Sequence, residues 1–207
     1  MSDLNWGLAA IVVLTAVMGL CYLRFERKSV SSKDLALLSA LTALTALGRV
    51  PFAAIPSVQP TTFMVTYAGF VFGPQTGFLV GSLAALLSNF FLGQGPWTLW
   101  QMAAWGLVGV TAGMLGRCKP DLGKWGLGLF GVIWGYLFGW IMNLSYWLVF
   151  VYPLTLKSFL TAYAASFYFD TLHAAGNLAF TVALGPMVKK IMVRYRERLR
   201  INHLARE

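Results

Sequence analysis

The chain has 207 residues, of which 58% are hydrophobic and only 11% are charged, and its mean hydropathy is +0.68. Because a soluble domain of this length carries about a quarter charged residues, these values exclude an ordinary soluble protein and indicate an integral membrane protein. The net charge of +9 does not indicate a nucleic-acid-binding protein, since almost all of the 16 Lys and Arg residues lie between particular apolar runs or in the C-terminal tail.

The first apolar run, Trp6–Leu23, is about as long as a bilayer is thick. A basic block follows it: Arg24, Arg27, Lys28 and Lys33. Since cytoplasmic flanks are enriched in Lys and Arg, residues 1–33 are predicted to form an anchor helix and a basic cytoplasmic linker. Residues 1–5 carry no positive charge and no small-residue cleavage site is evident, so the run is not a typical secretory signal.

Further apolar runs predict six core helices. Their ranges are Leu35–Leu47, Phe63–Phe72, Phe78–Phe91, Thr98–Leu115, Trp125–Val149 and Leu160–Val188. The runs are long and show no strict alternation, which favours helices over strands. The predicted fold is therefore an all-α integral membrane protein. A compact six-helix bundle over residues 34–188 follows the extra N-terminal helix, and residues 189–207 form a basic cytoplasmic tail.

The charge distribution predicts the orientation of these helices. Of the 16 basic residues, only Arg49 and Lys157 fall in the predicted outside connections. The reverse orientation would place nearly all of the basic residues outside, against the positive-inside tendency. We therefore predict a multi-pass protein of the plasma membrane with its N-terminus outside and its C-terminus in the cytoplasm.

The long outside connection Gly48–Thr62 contains three prolines and several polar side chains. The helices on either side of it are shorter than the roughly 20 residues that a membrane span needs. Irregular backbone at membrane depth is tolerated only when it is buried in protein or lines a cavity. We therefore expect this connection either to extend those helices or to fold back over the bundle.

A second outside stretch, Ser88–Trp105, is unusually rich in aromatic and amide side chains. Gly93, Gly95 and Pro96 predict a tight turn before the next helix. Three tryptophans follow within it: Trp97, Trp100 and Trp105. One interpretation is an aromatic belt at the membrane interface; the other is the wall or lid of a ligand pocket.

Small residues recur at four-residue spacing on several predicted helices. Gly69, Gly73, Gly77 and Gly81 form one series, and Gly131, Gly135 and Gly139 form another. Such residues let helix backbones approach closely, so both series favour packing within the bundle. A third stripe lies on the first core helix: Ala36, Ser39, Ala40 and Ala43. It predicts either internal packing or a docking face for another membrane protein.

Asp170, His173 and Asn177 lie on one face of the last predicted helix. Ionisable side chains at this depth are candidates for function, yet Asp170 and His173 could equally form a structural hydrogen-bond pair. The chain contains no phosphate-binding loop and no H-E-x-x-H motif. No catalytic residue, cofactor or metal site is therefore predicted.

Six core helices, an Ala-x-x-x-Ala stripe on the first and a long outside loop after it resemble an energy-coupling factor (ECF) transporter S component. The phrases TALGRVPFAAIPSVQPTT, YAGFVFGPQTGFLVG, SNFFLGQGPWTLWQMAAWGLVG and FDTLHAAGN resemble the branch assigned to cobalamin. The resemblance covers about Asp34–Val188. The anchor helix departs from the six-helix pattern, which leaves open how this chain docks.

The resemblance implies a vitamin-binding membrane subunit that docks on a coupling transmembrane subunit driven by two ATPase subunits. It implies capture of cobalamin or a related corrinoid from outside, without catalysis. The implied substrate contacts are Arg49, Gln59, Thr61, Thr62, Asn89, Phe91, Gln94, Trp97, Trp100, Tyr152, Asp170, His173 and Asn177. The implied docking residues are Ala36, Ser39, Ala40 and Ala43.

Several alternatives stay open at this point. The substrate could be a different vitamin or small molecule, or the chain could be an assembly or sensor subunit. A membrane-integral enzyme using Asp170 and His173 is a further alternative. For a corrinoid substrate, a ring nitrogen of His173 could ligate the cobalt.

Overall fold

A computed structural model describes residues 6–26 and 31–204, and this part of the chain contains helices and no strand. The α-helices are α1 (Trp6–Glu26), α2 (Ser32–Arg49), α3 (Thr61–Phe72), α4 (Pro74–Leu92), α5 (Trp97–Cys118), α6 (Lys124–Phe150) and α7 (Leu156–Leu204). A single 3-10 turn, Val50–Phe52, follows α2. Among the described residues, α1, α2 with its 3-10 turn, α4 and α6 are long and apolar enough to cross a membrane. The all-α membrane fold predicted from the sequence is confirmed.

Helix α2 is longer than the predicted Leu35–Leu47. It begins after Ser31, whose Oγ accepts a hydrogen bond from the backbone N–H of Asp34 at 3.2 Å and donates one to the Asp34 carboxylate at 2.6 Å. This cap satisfies a backbone donor that has no partner inside the helix. The extension carries α2 to Arg49, so its polar C-terminal residue belongs to the helix and not to the loop.

Helix α7 also exceeds its prediction, because it continues past Val188 to Leu204 as one helix of 49 residues. Pro186 lies inside the helix and does not end it. From Met187 to Leu204 the sequence has neither Gly nor Pro, and Lys and Arg are good helix formers. The predicted boundary at Val188 was wrong because it followed the loss of hydrophobicity, which ends a membrane segment but not a helix.

Helix α3 lies at the centre of the bundle, where α4, α5 and α7 surround it. It has only 12 residues, and ten of them are buried. Gly73, with φ of 97°, ends α3 and lets α4 begin at once with Pro74. A helix this short is accommodated because protein, and not lipid, covers its ends.

Helices α4 and α5 touch through their backbones. A Cβ at Gly77 would collide with the carbonyl of Gly109, and a Cβ at Gly109 would collide with Gly77. A Cβ at Gly81 would fall on the carbonyl of Trp105. These glycines serve packing, as their four-residue spacing predicts.

The connections α2–α3, α4–α5 and α6–α7 lie at one end of the bundle, which we call the loop end. The connections α3–α4 and α5–α6 lie at the opposite end, together with most described basic residues. There Lys189 donates hydrogen bonds to the carbonyls of Pro120 and Leu122, and Arg196 donates one to the carbonyl of Val71. We call this the basic end.

Helix α1 lies at the periphery, where it packs against α5 and α6. Its few inward contacts include the buried side chain of Met18 and a hydrogen bond of 2.8 Å from the Tyr22 hydroxyl to Ser82. Most of its other apolar side chains are exposed, as expected for a helix in lipid.

Candidate functional site

A cavity of about 360 Å³ opens at the loop end of the bundle. Its walls come from α2, α5, α6, α7 and the α2–α3 connection. The lining residues are Arg49, Ser57, Gln59, Gln101, Trp105, Phe138, Gly139, Met142, Asn143, Ser166, Phe169, Asp170 and His173. Aromatic surface with a few polar side chains is typical of a small-molecule site.

Arg49, the last residue of α2, supplies the positive charge of the cavity. Its side chain is 8% exposed. Nε donates to the Gln59 side chain at 2.6 Å, and Nη1 donates to Ser88 at 2.8 Å and Asn89 at 2.7 Å. The guanidinium also lies 4.9 Å from the ring centroid of Trp105. All of these partners are neutral, so the charge is hydrogen-bonded and not compensated.

Asn89 holds this cation in place from behind the cavity wall. Its Oδ1 accepts the bond from Arg49, while its Nδ2 donates to Thr98 at 3.0 Å and to Gln101 at 2.7 Å. The Thr98 hydroxyl in turn donates to Gln94 at 2.9 Å. Asn89 and Gln94, both predicted to touch substrate, therefore tie the start of α5 to Arg49.

Asp170 supplies the negative charge on the other side of the cavity. Its carboxylate accepts from the hydroxyl of Ser166 at 3.0 Å and from the amide of Asn143 at 3.5 Å. The amide of Asn143 also donates to Ser166 at 2.5 Å. Gly139 lies directly beneath the carboxylate, because a Cβ there would collide with Asp170. Like Arg49, Asp170 is buried, at 7% exposed, and its partners are neutral.

His173 does not pair with Asp170, contrary to the structural interpretation of the sequence. Its Nε2 lies 2.9 Å from the hydroxyl of Thr62, which accepts a hydrogen bond of 3.0 Å from the indole N–H of Trp105. Because indole is only a donor, the Thr62 proton is available to Nε2. Asp170 bonds to α6 and to its own helix, whereas His173 bonds to α3. Cobalt ligation by His173 would therefore have to use Nδ1.

The other predicted contacts fall into two groups. Thr61 and Asn177 are buried away from the cavity, and Asn177 donates to the carbonyl of Gly131 at 3.0 Å. Within the described part of the chain, Thr61 Oγ1 and Asn177 Oδ1 have no hydrogen-bond partner. The remaining predicted contacts lie at the loop end outside the lining: Phe91, Gln94, Trp97, Trp100 and Tyr152.

The aromatic residues of that second group differ widely in exposure. Tyr152 is 94% exposed and Phe91 is 65% exposed, whereas Trp100 is buried at 7%. Trp97 is 36% exposed, and its ring lies against Gly95. Of the three tryptophans in the stretch, only Trp105 lines the cavity.

The sequence interpretation did not select several lining residues, among them Gln101, Phe138, Asn143 and Ser166. One signal could have identified two of them. The series Gly131, Gly135 and Gly139 continues at Asn143 with the same spacing, so this polar side chain lies on the face of α6 that packs against α7. Ser166 likewise precedes Asp170 by one helical turn.

Comparison with known proteins agrees with this architecture. The family model described as "ECF transporter, substrate-specific component" matches residues 33–189. A UPF0397 protein of Vibrio atlanticus (strain LGP32) is 28% identical over 89 residues, which cover 41% of this chain and 48% of the relative. A UPF0397 protein of Aliivibrio fischeri (strain MJ11) is 28% identical over 91 residues, covering 42% and 49%.

The chain thus spans about half the length of the curated relatives that it matches. No solved structure matches it. The family match, by contrast, extends from the start of α2 into α7 and includes every residue that lines the cavity. The chain belongs to the family of ECF transporter substrate-specific components.

Proposed function

We propose that this chain captures a small nutrient at the outer face of the membrane, in the cavity between Arg49 and Asp170. The family is one of substrate-binding transporter subunits and not of enzymes, and it implies coupling to a transmembrane subunit and ATPases. The observation that carries the proposal is a cavity at the loop end that combines two buried charges with aromatic surface. Its mixed lining matches what small-molecule sites use to fix a ligand.

The orientation is part of this proposal. Most of the described basic residues lie at the end opposite the cavity, and positive residues favour the cytoplasmic side. The cavity then opens outward. The test is labelling of single cysteines at Lys157 and Lys119 after Cys21 and Cys118 are replaced by Ser. We expect reagent from outside to reach only position 157; outside access to position 119 would overturn the orientation.

Cobalamin or a related corrinoid is the substrate we propose. The four sequence phrases resembling the cobalamin branch support this choice, and amides in the cavity, such as Gln59, Gln101 and Asn143, suit the amide-bearing edge of a corrin ring. Ligand sites typically have volumes of about 300–1,000 Å³, so this cavity is a small one. A corrinoid would therefore insert one edge and rest its ring on the loops around Trp97 and Tyr152.

A smaller vitamin-sized molecule is the second candidate, and the cavity volume of about 360 Å³ favours it. Such a ligand would be enclosed by the lining residues without contact to the exposed aromatic side chains of the loops. Both candidate ligands would bind Arg49 and Asp170, and they differ in how far they extend out of the cavity.

Gentle purification of the chain, followed by mass spectrometry of bound small molecules and titration with cobalamin, tests this function. We expect a corrinoid to copurify and cobalamin to bind in a saturable way. Asn89→Leu, which removes the support of Arg49, should weaken binding, whereas Asn143→Ala tests the opposite wall. Tight binding of another vitamin with no affinity for cobalamin would reject the corrinoid and keep the capture function.

We further propose that α2 docks on the coupling subunit through Ala36, Ser39, Ala40 and Ala43. All four side chains are exposed. The opposite face of α2 is buried, including Leu41, Thr45 and Arg49. The peripheral helix α1 packs mainly against α5 and α6. Small residues would let a partner helix approach closely.

A further inference from the structure

Arg49 and Asp170 are two opposite charges that line one cavity without neutralising each other. Each is more than nine-tenths buried. The hydrogen bonds of Arg49 go to Gln59, Ser88 and Asn89, and no described carboxylate is among its partners. Those of Asp170 come from Ser166 and Asn143.

Both charges are held apart by the fold. Arg49 is fixed by a network on α4 and α5, while Asp170 is fixed by α6 and its own helix, above Gly139. A buried charge is costly unless it is paired, and ionisable residues kept within membrane helices mark ligand pathways. Because neutral hydrogen bonds only partly offset this cost, each group is poised to bind a ligand group of opposite polarity.

The wall between the charges is aromatic. The Trp105 and Phe138 ring centroids lie 4.6 Å apart, and the rings of Phe138 and His173 form a T-shaped contact with their centroids 5.1 Å apart. The Trp105 and Phe138 rings carry no charge, so they offer an apolar surface between the cation and the anion.

Resting on the proposed capture function, we propose that the cavity selects a ligand part of no net charge with two opposed ends. An anionic or hydrogen-bond-accepting end binds Arg49, a cationic or donating end binds Asp170, and a flat middle lies along Trp105 and Phe138. A zwitterion meets this description, and so does a carboxamide on a flat ring. A simple anion or cation would satisfy one charge and leave the other buried beside a like charge.

Four pyridine derivatives of similar size separate charge from shape. Nicotinate is an anion, N1-methylnicotinamide a cation, nicotinamide a neutral amide and N1-methylnicotinate a zwitterion. For the purified full chain in detergent, we expect the zwitterion and the amide to raise the unfolding temperature more than either ion does. Equal shifts with all four probes, or no shift with any of them, would overturn the proposal.

Charge-removing variants sharpen this test. Asp170→Asn leaves the cavity positive and should shift preference toward nicotinate, whereas Arg49→Gln leaves it negative and should shift preference toward N1-methylnicotinamide. Each substitution removes the charged partner of a hydrogen bond to the ligand. We therefore expect the ratio of the affinities for the anion and the cation to change at least about tenfold in each variant. If Arg49 and Asp170 served only to stabilise the fold, each variant would be less stable, but the preferences for nicotinate and for N1-methylnicotinamide would not shift in opposite directions.

Matched controls make the same charge changes at exposed positions of the basic end: Asp121→Asn and Arg117→Gln. They should leave the ranking of the four probes unchanged. If Arg49→Gln does not fold, the Asp170→Asn variant alone decides, and Arg49→Lys should keep the wild-type ranking. An unchanged ranking in a folded Asp170→Asn variant would overturn the proposal.

Titration of the same variants with cobalamin separates this inference from the proposed function. Cobalamin binding without a charge-dependent ranking would reject the inference and keep capture of a corrinoid. A charge-dependent ranking without cobalamin binding would keep the inference and reject the corrinoid.

Discussion

The bundle has two parts of different size, the four helices α2–α5 and the pair α6–α7. In the first part, α4 and α5 touch through the backbones of Gly77 and Gly109, with α3 enclosed beside them. The second part is a pair of helices whose contact runs through Gly135 and Gly139. Fewer contacts join α5 to α6 than join either tight pair.

The cavity lies on the seam between these parts, and each part contributes one charge. Arg49 comes from the first and Asp170 from the second. The seam is crossed by the Thr62–His173 hydrogen bond and by the Trp105–Phe138 contact. Close packing at glycines thus fixes each charge within its part, while the contacts across the seam set the distance between the charges.

The largest expected effect comes from breaking the first part. Gly109→Leu places a side chain on the backbone of Gly77, which cannot move aside as a flexible side chain could. Ordinary overpacking costs about 1–3 kcal/mol, and we expect more here, with loss of monodisperse protein in size-exclusion chromatography. Gly19→Leu on α1 is the control, since no atom of the described residues lies within 4 Å of its Cβ position. Normal yield of the Gly109 variant would show that α4 and α5 can separate.

The second effect concerns the outer face of the first part. Ala36→Leu with Ala40→Leu should abolish assembly with the coupling subunit in a pull-down, because bulky side chains block close helix approach. Substrate binding by the isolated chain should persist. Ala175→Leu, at an exposed position on α7, is the control and should assemble normally. Joint loss of binding and assembly would instead mean that the stripe supports the fold.

A smaller effect is expected at the seam itself. Thr62→Val keeps the shape of the side chain but removes the partner of both His173 and the indole of Trp105. Interhelical hydrogen bonds in membranes contribute about 0.6–2 kcal/mol, so the unfolding temperature should fall by a few degrees. Thr111→Val, which affects only bonds within α5, should change it less. An equal fall in the unfolding temperature of both variants would show that the hydrogen bonds of Thr62 stabilise the fold no more than those of Thr111 do.

The smallest effect distinguishes the two substrate candidates. If a corrin ring rests on the loops, Trp97→Ala should weaken cobalamin binding roughly threefold, since an aromatic contact contributes about 0.5–1.5 kcal/mol beyond buried area. Trp100→Ala probes a buried side chain outside the cavity and should act through stability instead. Unchanged affinity in the Trp97 variant would mean that the ligand does not reach the loops.

The sequence predicts the helices well and the site in part. Apolar runs identify each helix because lipid imposes length and hydrophobicity. Asp170 and His173 were predicted because ionisable residues are unusual in such runs, whereas Arg49 and Gln59, in the outside connection Gly48–Thr62, were implied by the family resemblance. The partners Asn143 and Ser166 were missed because only the register between α6 and α7 brings them to Asp170. Trp97 was preferred to Trp105 for a similar reason: helix rotation decides which indole faces inward.

Helix α7 connects the two ends of the molecule without a break. Asp170 lies almost one third of the way along this helix, and Leu204 ends it. At 1.5 Å per residue the distance between Asp170 and Leu204 is roughly 50 Å, so tilting the helix by about 5° about Asp170 would move Leu204 by roughly 4 Å. The part of α7 that follows Val193, at the basic end, contains several arginines. With a ligand bound as proposed, the helix would act as a lever arm, in which a small displacement beside the cavity is enlarged at the basic end.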